Sequence, residues 1–84
     1  MSIEREVTTF IVDNFLFGNA EDAPEPETSF LETGLIDSTG ILELVTFLEE
    51  EYEITVADED LTPENLDSVR NIAGYVERQR AAGG

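Results

Sequence analysis

The chain lacks cysteine, histidine, lysine and tryptophan. Without cysteine it can form no disulfide and perform no thiol catalysis with its own side chains. Without histidine, the common zinc sites and the catalytic triads that need an imidazole are excluded. Four arginines face 20 aspartates and glutamates, which gives a formal net charge of −16. Four arginines cannot neutralise a run of phosphates. The composition therefore excludes a nucleic-acid binder and disfavours binding to an anionic membrane surface.

Long apolar runs are also missing. Residues 4–6 read Glu-Arg-Glu where a signal peptide would need apolar residues, and no stretch approaches the ~20 residues of a membrane span. A length of 84 residues predicts one domain over residues 1–80, with a frayed tail over residues 81–84. Hydrophobic residues make up 40% of the chain, which argues against disorder. We therefore expect one cytoplasmic domain that does not insert into membranes.

Three stretches carry apolar residues at helical spacing. Residues 2–17, 38–52 and 69–80 are each predicted to form an amphipathic helix, and Thr62 followed by Pro63 predicts the start of a short fourth helix. The predicted core residues are Ile3, Val7, Phe10, Ile11 and Phe15 in the first helix, Ile41, Leu44, Val45, Leu48 and Tyr52 in the second, and Val69, Ile72, Ala73 and Val76 in the last. The predicted fold is therefore all-α, an antiparallel four-helix bundle with three long helices and one short one.

Residues 18–37 are predicted to form a long loop, because Pro24 and Pro26 disfavour a helix. A loop of this length must be held against the bundle, with Gly34 allowing a turn within it. The residues expected to hold it are Phe30, Leu31, Leu35 and Ile36. On the second helix, Leu42 and Phe47 flank the apolar stripe, and Phe47 is interpreted either as core filling or as a partner contact.

Residues 34–40 read Gly-Leu-Ile-Asp-Ser-Thr-Gly and place a serine hydroxyl at the start of the second helix. Asp37 is a good N-cap candidate, and the positive end of the helix dipole would favour an anionic group on Ser38. A simpler interpretation is that Asp37 and Ser38 only cap the helix, because both residue types are common caps. The residues alone leave both interpretations open.

The segment that begins at Asp37 reads Asp-Ser-Thr-Gly-Ile-Leu-Glu-Leu-Val, and an acidic run with an aromatic residue follows at 48–52. This pattern closely resembles the acyl carrier protein family, whose motif is Asp-Ser-Leu, two variable positions, an aliphatic residue, Glu, Leu and an aliphatic residue. The resemblance continues through an extended connector at 53–56 and an acidic loop at 57–61. It covers residues 30–76 and implies the family's helical fold.

The resemblance implies a carrier and not an enzyme, so no catalytic residue is expected. In the family, the serine that matches Ser38 is esterified with 4′-phosphopantetheine by a phosphopantetheinyl transferase, with Asp37 beside it. The thiol of this arm then holds acyl or aminoacyl groups as thioesters. Because the chain is short and has no synthase domain attached, we expect a free-standing monomer whose loading ligase and downstream transferase act in trans. Its partner-facing residues would be Thr39, Glu43, Thr46 and Glu50.

Two residues depart from the family pattern. Thr39 stands where leucine or methionine is usual, and Gly40 stands where an acidic residue is common and should weaken the first helical turn. This small polar pair suggests partners other than the enzymes of housekeeping fatty-acid synthesis. With Thr39 and Gly40 expected at the opening near Ser38, we predict a short or polar cargo, such as an aminoacyl group, held mostly outside the bundle.

The alternative function is a non-covalent acidic module that docks basic partner proteins and carries no prosthetic group. The acidic run at residues 49–51, Glu-Glu-Glu, is interpreted either as part of a surface for basic partners or as only a solvated helix face. An EF-hand beginning at Asp58 is disfavoured, because Pro63 occupies the position that needs glycine and Val69 the position that needs glutamate, and loose binding of divalent cations by clustered carboxylates is favoured over it. No dedicated metal site is therefore expected.

Overall fold

Within the described residues, five α-helices form the fold, and three of them are long. The structure, a computed structural model, describes residues 2–82. The helices are α1 (Ile3–Phe15), α2 (Phe30–Thr33), α3 (Ser38–Tyr52), α4 (Pro63–Leu66) and α5 (Val69–Ala81), with 3₁₀ turns at Ala20–Asp22 and Asp58–Asp60. No strand is found within residues 2–82. The prediction of an all-α bundle with three long helices is confirmed.

Each long helix begins after a residue whose side chain caps it, and for α3 this residue is the predicted Asp37. The Asp37 carboxylate accepts a hydrogen bond from the Gly40 N–H and caps α3, and Ser68 caps α5. Helix α1 ends two residues earlier than predicted, because the chain turns at Phe17 and Gly18, which both have positive φ. Of the tail predicted to fray, Ala81 is helical, and residues 83 and 84 lie outside the described residues.

The core forms where the apolar faces of α1, α3 and α5 meet. Helix α5 packs against α1, α3 and α4, so it is the central element of the bundle. The core residues with the least exposure are Val7, Ile11, Phe30, Ile36, Leu44, Leu48, Val69, Ile72 and Val76. All four apolar residues predicted for the inner face of α5 are buried, which confirms that face, and Tyr75 joins them.

The predicted loop over residues 18–37 contains a helix that the sequence did not indicate. Helix α2 is one turn long, so its own hydrogen bonds cannot stabilise it, and partners elsewhere in the chain must hold it. Asp67 supplies them: its carboxylate accepts from the Leu31 N–H (3.0 Å) and from the Ser29 hydroxyl, and its carbonyl accepts from the Phe30 N–H (2.8 Å).

Three of the four residues expected to hold this loop do so. Phe30 and Ile36 are buried and Leu35 is half-buried, as predicted. The expectation for Leu31 is wrong, because 55% of its surface is exposed. Gly34 adopts the left-handed conformation and ends α2, which confirms the predicted turn.

Aromatic rings fill the space between α1 and α3. Phe10 stacks on Phe47 with ring centroids 4.2 Å apart, and Phe10 meets Phe15 edge to face at 6.1 Å. The Tyr52 hydroxyl donates a hydrogen bond to Glu6 (2.6 Å), which joins the end of α3 to α1. Phe47 is half-buried, so its ring contributes to the contact between the two helices.

The two tyrosines should make the free energy of unfolding decrease at alkaline pH. Burial and a hydrogen bond to Asp60 raise the pKa of Tyr75 from 10 to about 12, and burial with a hydrogen bond to Glu6 raises the pKa of Tyr52. The stability that both phenols contribute is complete below about pH 10, where the unfolded chain is also protonated, and is lost as the pH rises through the folded values.

We therefore expect the free energy of unfolding, measured by urea denaturation, to fall between about pH 10 and pH 12. The substitution Tyr75→Phe should reduce the slope of this fall, because the variant has one phenol fewer to ionise. A wild-type free energy that stays constant across this range would contradict the assignment.

Candidate functional site

Helix α3 presents three faces because each residue is rotated by about 100° from the one before. One face is buried in the core and consists of Gly40, Leu44 and Leu48. A second face is exposed and consists of Thr39, Glu43, Thr46 and Glu50, the residues predicted to face partners. The third face consists of Ser38, Ile41 and Leu42 and borders a cleft. The structure thus gathers the predicted partner-facing residues on one surface, beside Ser38.

The four serines of the chain occupy two kinds of position. Ser2, Ser29 and Ser68 stand just before a helix, and each hydroxyl accepts a hydrogen bond from the N–H three residues later. Ser38 is instead the first residue inside α3 and is exposed. Its hydroxyl is not the cap, because Asp37 takes that role.

Asp37 satisfies two backbone groups at the start of α3. Its carboxylate oxygen lies 2.8 Å from the Gly40 nitrogen, and its carbonyl oxygen lies 2.9 Å from the Ile41 nitrogen. The N–H groups of Ser38 and Thr39 belong to the same first turn, where no intrahelical acceptor is available. The interpretation that Asp37 and Ser38 both serve as caps is therefore correct for Asp37 and wrong for Ser38.

Gly40 permits a close approach at the start of α3. A Cβ atom on this residue would lie 2.6 Å from Ile36 Cγ2 and 2.9 Å from Phe15 Cε1, which is closer than carbon atoms pack. The sequence predicted only that glycine would weaken the first turn. The structure shows what the glycine allows: α1 and the segment before Ser38 pack directly against the helix backbone.

An apolar cleft of about 320 Å³ opens beside Ser38. It is lined by Leu31, Ser38, Ile41, Leu42, Leu61, Thr62, Pro63, Leu66 and Asp67. The expectation that Thr39 and Gly40 form the opening is wrong, because Thr39 lies on the exposed face and Gly40 lies on the core face. The sequence missed Leu31, Leu61 and Leu66 as lining residues, since only the folded chain brings α2 and α4 to this side of α3.

The three glutamates at the end of α3 have different environments. Glu50 and Glu51 are exposed, as a solvated face requires. Glu49 is half-buried, and its carboxylate accepts a hydrogen bond from the Val56 N–H (2.9 Å). Glu49 therefore anchors the connector that follows α3, while Glu50 remains free to meet a partner.

Within residues 2–82, no group of three or more acidic residues is placed to hold a metal ion. In the EF-hand candidate, Asp60 accepts a hydrogen bond from Tyr75 (2.9 Å). No helix in the described part of the chain is long and apolar enough to cross a membrane.

Similarity to known proteins fits this geometry. Residues 16–76 match a family model described as the phosphopantetheine attachment site, and this range includes Ser38 and the whole cleft. The chain is also 35% identical over 82 residues to an acyl carrier protein of Bdellovibrio bacteriovorus, an alignment that covers 98% of this chain and 100% of that protein. The chain belongs to the acyl carrier protein family. It is therefore a carrier protein and not an enzyme.

The prosthetic group of this acyl carrier protein is a covalently attached 4′-phosphopantetheine. When attached, the group supplies the thiol that the cysteine-free chain lacks. The residues present fit it, because an exposed serine hydroxyl stands at the start of a 15-residue helix beside an apolar cleft. Like other members of the family, the protein works with a phosphopantetheinyl transferase and with biosynthetic enzymes.

Proposed function

We propose that Ser38 is the attachment residue and that the protein is a free-standing carrier, which holds acyl or aminoacyl groups as thioesters and delivers them to enzymes in trans. The observation that carries the proposal is the position of Ser38. It is exposed inside the first turn of α3, whereas the other three serines cap helices. A transferase can therefore reach its hydroxyl without breaking a capping hydrogen bond.

The chain's contribution to attachment is to present a nucleophile at a helix N-terminus. The Ser38 Oγ forms a bond to phosphorus, a P–O bond of the coenzyme A pyrophosphate breaks, and adenosine bisphosphate leaves with the electron pair. The hydroxyl proton passes to a base of the transferase or to water. The positive end of the α3 dipole and the N–H groups of Ser38 and Thr39 favour the negative charge that results. Asp37 holds this turn in place through its bond to Gly40.

The intact mass of the protein tests this proposal. Incubation of the wild-type chain with coenzyme A and a broad-specificity phosphopantetheinyl transferase should add one phosphopantetheine per chain. The alternative function, a non-covalent acidic module, predicts no added mass with several transferases and retained binding to a basic partner. Monomeric state and cytoplasmic location remain predictions.

The cleft supports a short cargo with an apolar part. Its volume of about 320 Å³ stands at the low end of the range for small-molecule sites. Phe30 is fully buried, and Phe10 stacks on Phe47 between α1 and α3, so a long chain would have to displace these rings to enter the bundle. We therefore propose that a short acyl chain, or the side chain of an aminoacyl group, lies between Leu42 and Leu66 in this cleft.

The melting temperatures of the protein loaded with octanoyl and with alanyl groups should show whether an acyl chain enters the cleft. Each buried CH₂ contributes about 0.8 kcal/mol, so three methylenes in the cleft would add about 2 kcal/mol and raise the melting temperature by about 10 °C. Octanoyl should stabilise the protein by this order, and alanyl should have little effect. Equal melting temperatures for both loaded forms would show that the cargo stays outside the cleft.

The exposed face of α3 is proposed to bind enzymes through charge. Replacement of Glu43 by lysine should lower kcat/KM for the transferase about tenfold at low salt, because surface charges steer association. Glu77→Lys makes the same charge change on α5 and serves as the control. The rates of both variants should converge with the wild-type rate as salt rises, since charges are screened over about 8 Å at physiological salt. Equal losses in both variants would refute a specific role for this face.

A further inference from the structure

Phe17 occupies a position where its side chain is unfavourable for the fold. It follows the end of α1 with a φ of 54°, in the left-handed region that glycine adopts at helix ends. The Gly18 N–H donates to the Val12 carbonyl (2.8 Å) and closes the turn around it. A bulky residue is strained in this conformation, and 99% of the Phe17 surface is exposed, so no contact within the described chain offsets the strain.

Phe17 stands at the same end of the bundle as Ser38. Phe15, two residues earlier, packs against Gly40, which is two residues after Ser38. Within residues 2–82, the other two large apolar side chains that are mostly exposed are Leu31 and Leu42, and both border the cleft beside Ser38. Two of the three exposed apolar side chains thus border the cleft beside Ser38, and the third, Phe17, follows the helix whose end packs against the start of α3. Exposed apolar side chains grouped at one end of a protein are typical of an interaction surface.

We propose that Phe17 is an anchor for the phosphopantetheinyl transferase, inserted into an apolar socket that basic side chains border. The inference rests on the proposed attachment at Ser38. The transferase is the partner that fits, because it forms a bond at the Ser38 Oγ and its contact surface must include that end of the bundle. Asp13, Glu21 and Asp22 are exposed and flank Phe17 in the chain, so the border of the socket must be basic.

The substitution Phe17→Gly should change stability and attachment in opposite directions. Glycine accepts the left-handed conformation, so the melting temperature should rise by about 4 °C. Loss of the ring should lower kcat/KM for phosphopantetheine transfer about tenfold, mainly through a higher KM for the carrier. Phe17→Leu, which keeps an apolar side chain, should recover most of the rate.

Glu53 provides a matched control at the far end of α3. It also has a φ of 54°, is exposed and ends its helix in the left-handed conformation. Glu53→Gly should therefore raise the melting temperature by a similar amount without changing the transfer rate. This control separates the loss of an anchor from any general effect of relieved strain.

Two results would overturn the inference. One is a Phe17→Gly variant whose transfer rate stays within about twofold of wild type. The other is a wild-type chain that self-associates through Phe17, seen as dimerisation in sedimentation that the variant loses while its transfer rate is unchanged. Failure of the proposed attachment has a different signature, because the wild-type chain would then stay unmodified, or a Ser38→Ala variant would be modified, whatever residue stands at 17.

Discussion

Replacement of Ser38 by alanine should abolish the addition of phosphopantetheine and leave the melting temperature close to wild type. Ser38 is exposed inside the first turn of α3 and caps nothing, and alanine is a better helix former, so the fold loses no contact. The proposed transfer, in contrast, loses the hydroxyl that would attack phosphorus. Intact mass after incubation with coenzyme A and a transferase, together with a thermal melt, measures both effects.

Ser29→Ala and Ser68→Ala are the matched controls. Each removes a capping hydrogen bond, so each should lower the free energy of unfolding by about 0.5–2 kcal/mol. Both variants should still accept one phosphopantetheine under conditions where they are folded. If Ser38→Ala is modified as fully as the wild type, or if a control variant that remains folded loses the modification, the assignment of Ser38 is wrong.

Replacement of Gly40 by alanine should destabilise the fold, although alanine normally stabilises a helix. The gain in helix propensity is about 1 kcal/mol. The new methyl group would stand 2.6 Å from Ile36 and 2.9 Å from Phe15, and overpacking of this kind costs about 1–3 kcal/mol. Because Ile36 is buried and β-branched, it cannot rotate away at low cost, so we expect a net loss of about 1–2 kcal/mol and a fall of about 5–10 °C in melting temperature.

Gly74→Ala is the matched control, because it makes the same substitution at a helical glycine where a methyl group has enough space. This glycine lies in α5, and its new Cβ would meet only the end of the Arg78 side chain at 3.5 Å, an ordinary contact. Alanine should therefore raise the free energy of unfolding by about 0.5–1 kcal/mol. Opposite signs for the two variants would confirm the close approach at Gly40, whereas equal stabilisation of both would contradict it.

The long helices and the start of the site could be predicted from the sequence because their signals are local. Apolar residues recur at helical spacing, and Asp37 precedes an apolar stripe as a capping residue does. The exposed face of Thr39 and Glu43 followed from the rotation per residue alone. None of these predictions needed knowledge of which helix packs against which.

The features that could not be predicted from the sequence depend on contacts between segments that are distant in the chain. Helix α2 exists because Asp67 binds its first turn, and the two segments are more than thirty residues apart in the chain. The cleft forms because Leu31 and Leu61 reach the same side of α3. The close packing at Gly40 could not be predicted either. The sequence indicates that glycine has a low helix propensity, but it does not indicate that Phe15 packs against this residue.

The position of the prosthetic group is the most direct test of the central claim. The wild-type protein, converted with coenzyme A and a transferase, would be cleaved with a protease and its peptides sequenced by tandem mass spectrometry. We predict one phosphopantetheine per chain, on Ser38. Attachment to Ser29, Ser68 or Thr39, or an unmodified chain after treatment with several transferases, would contradict it.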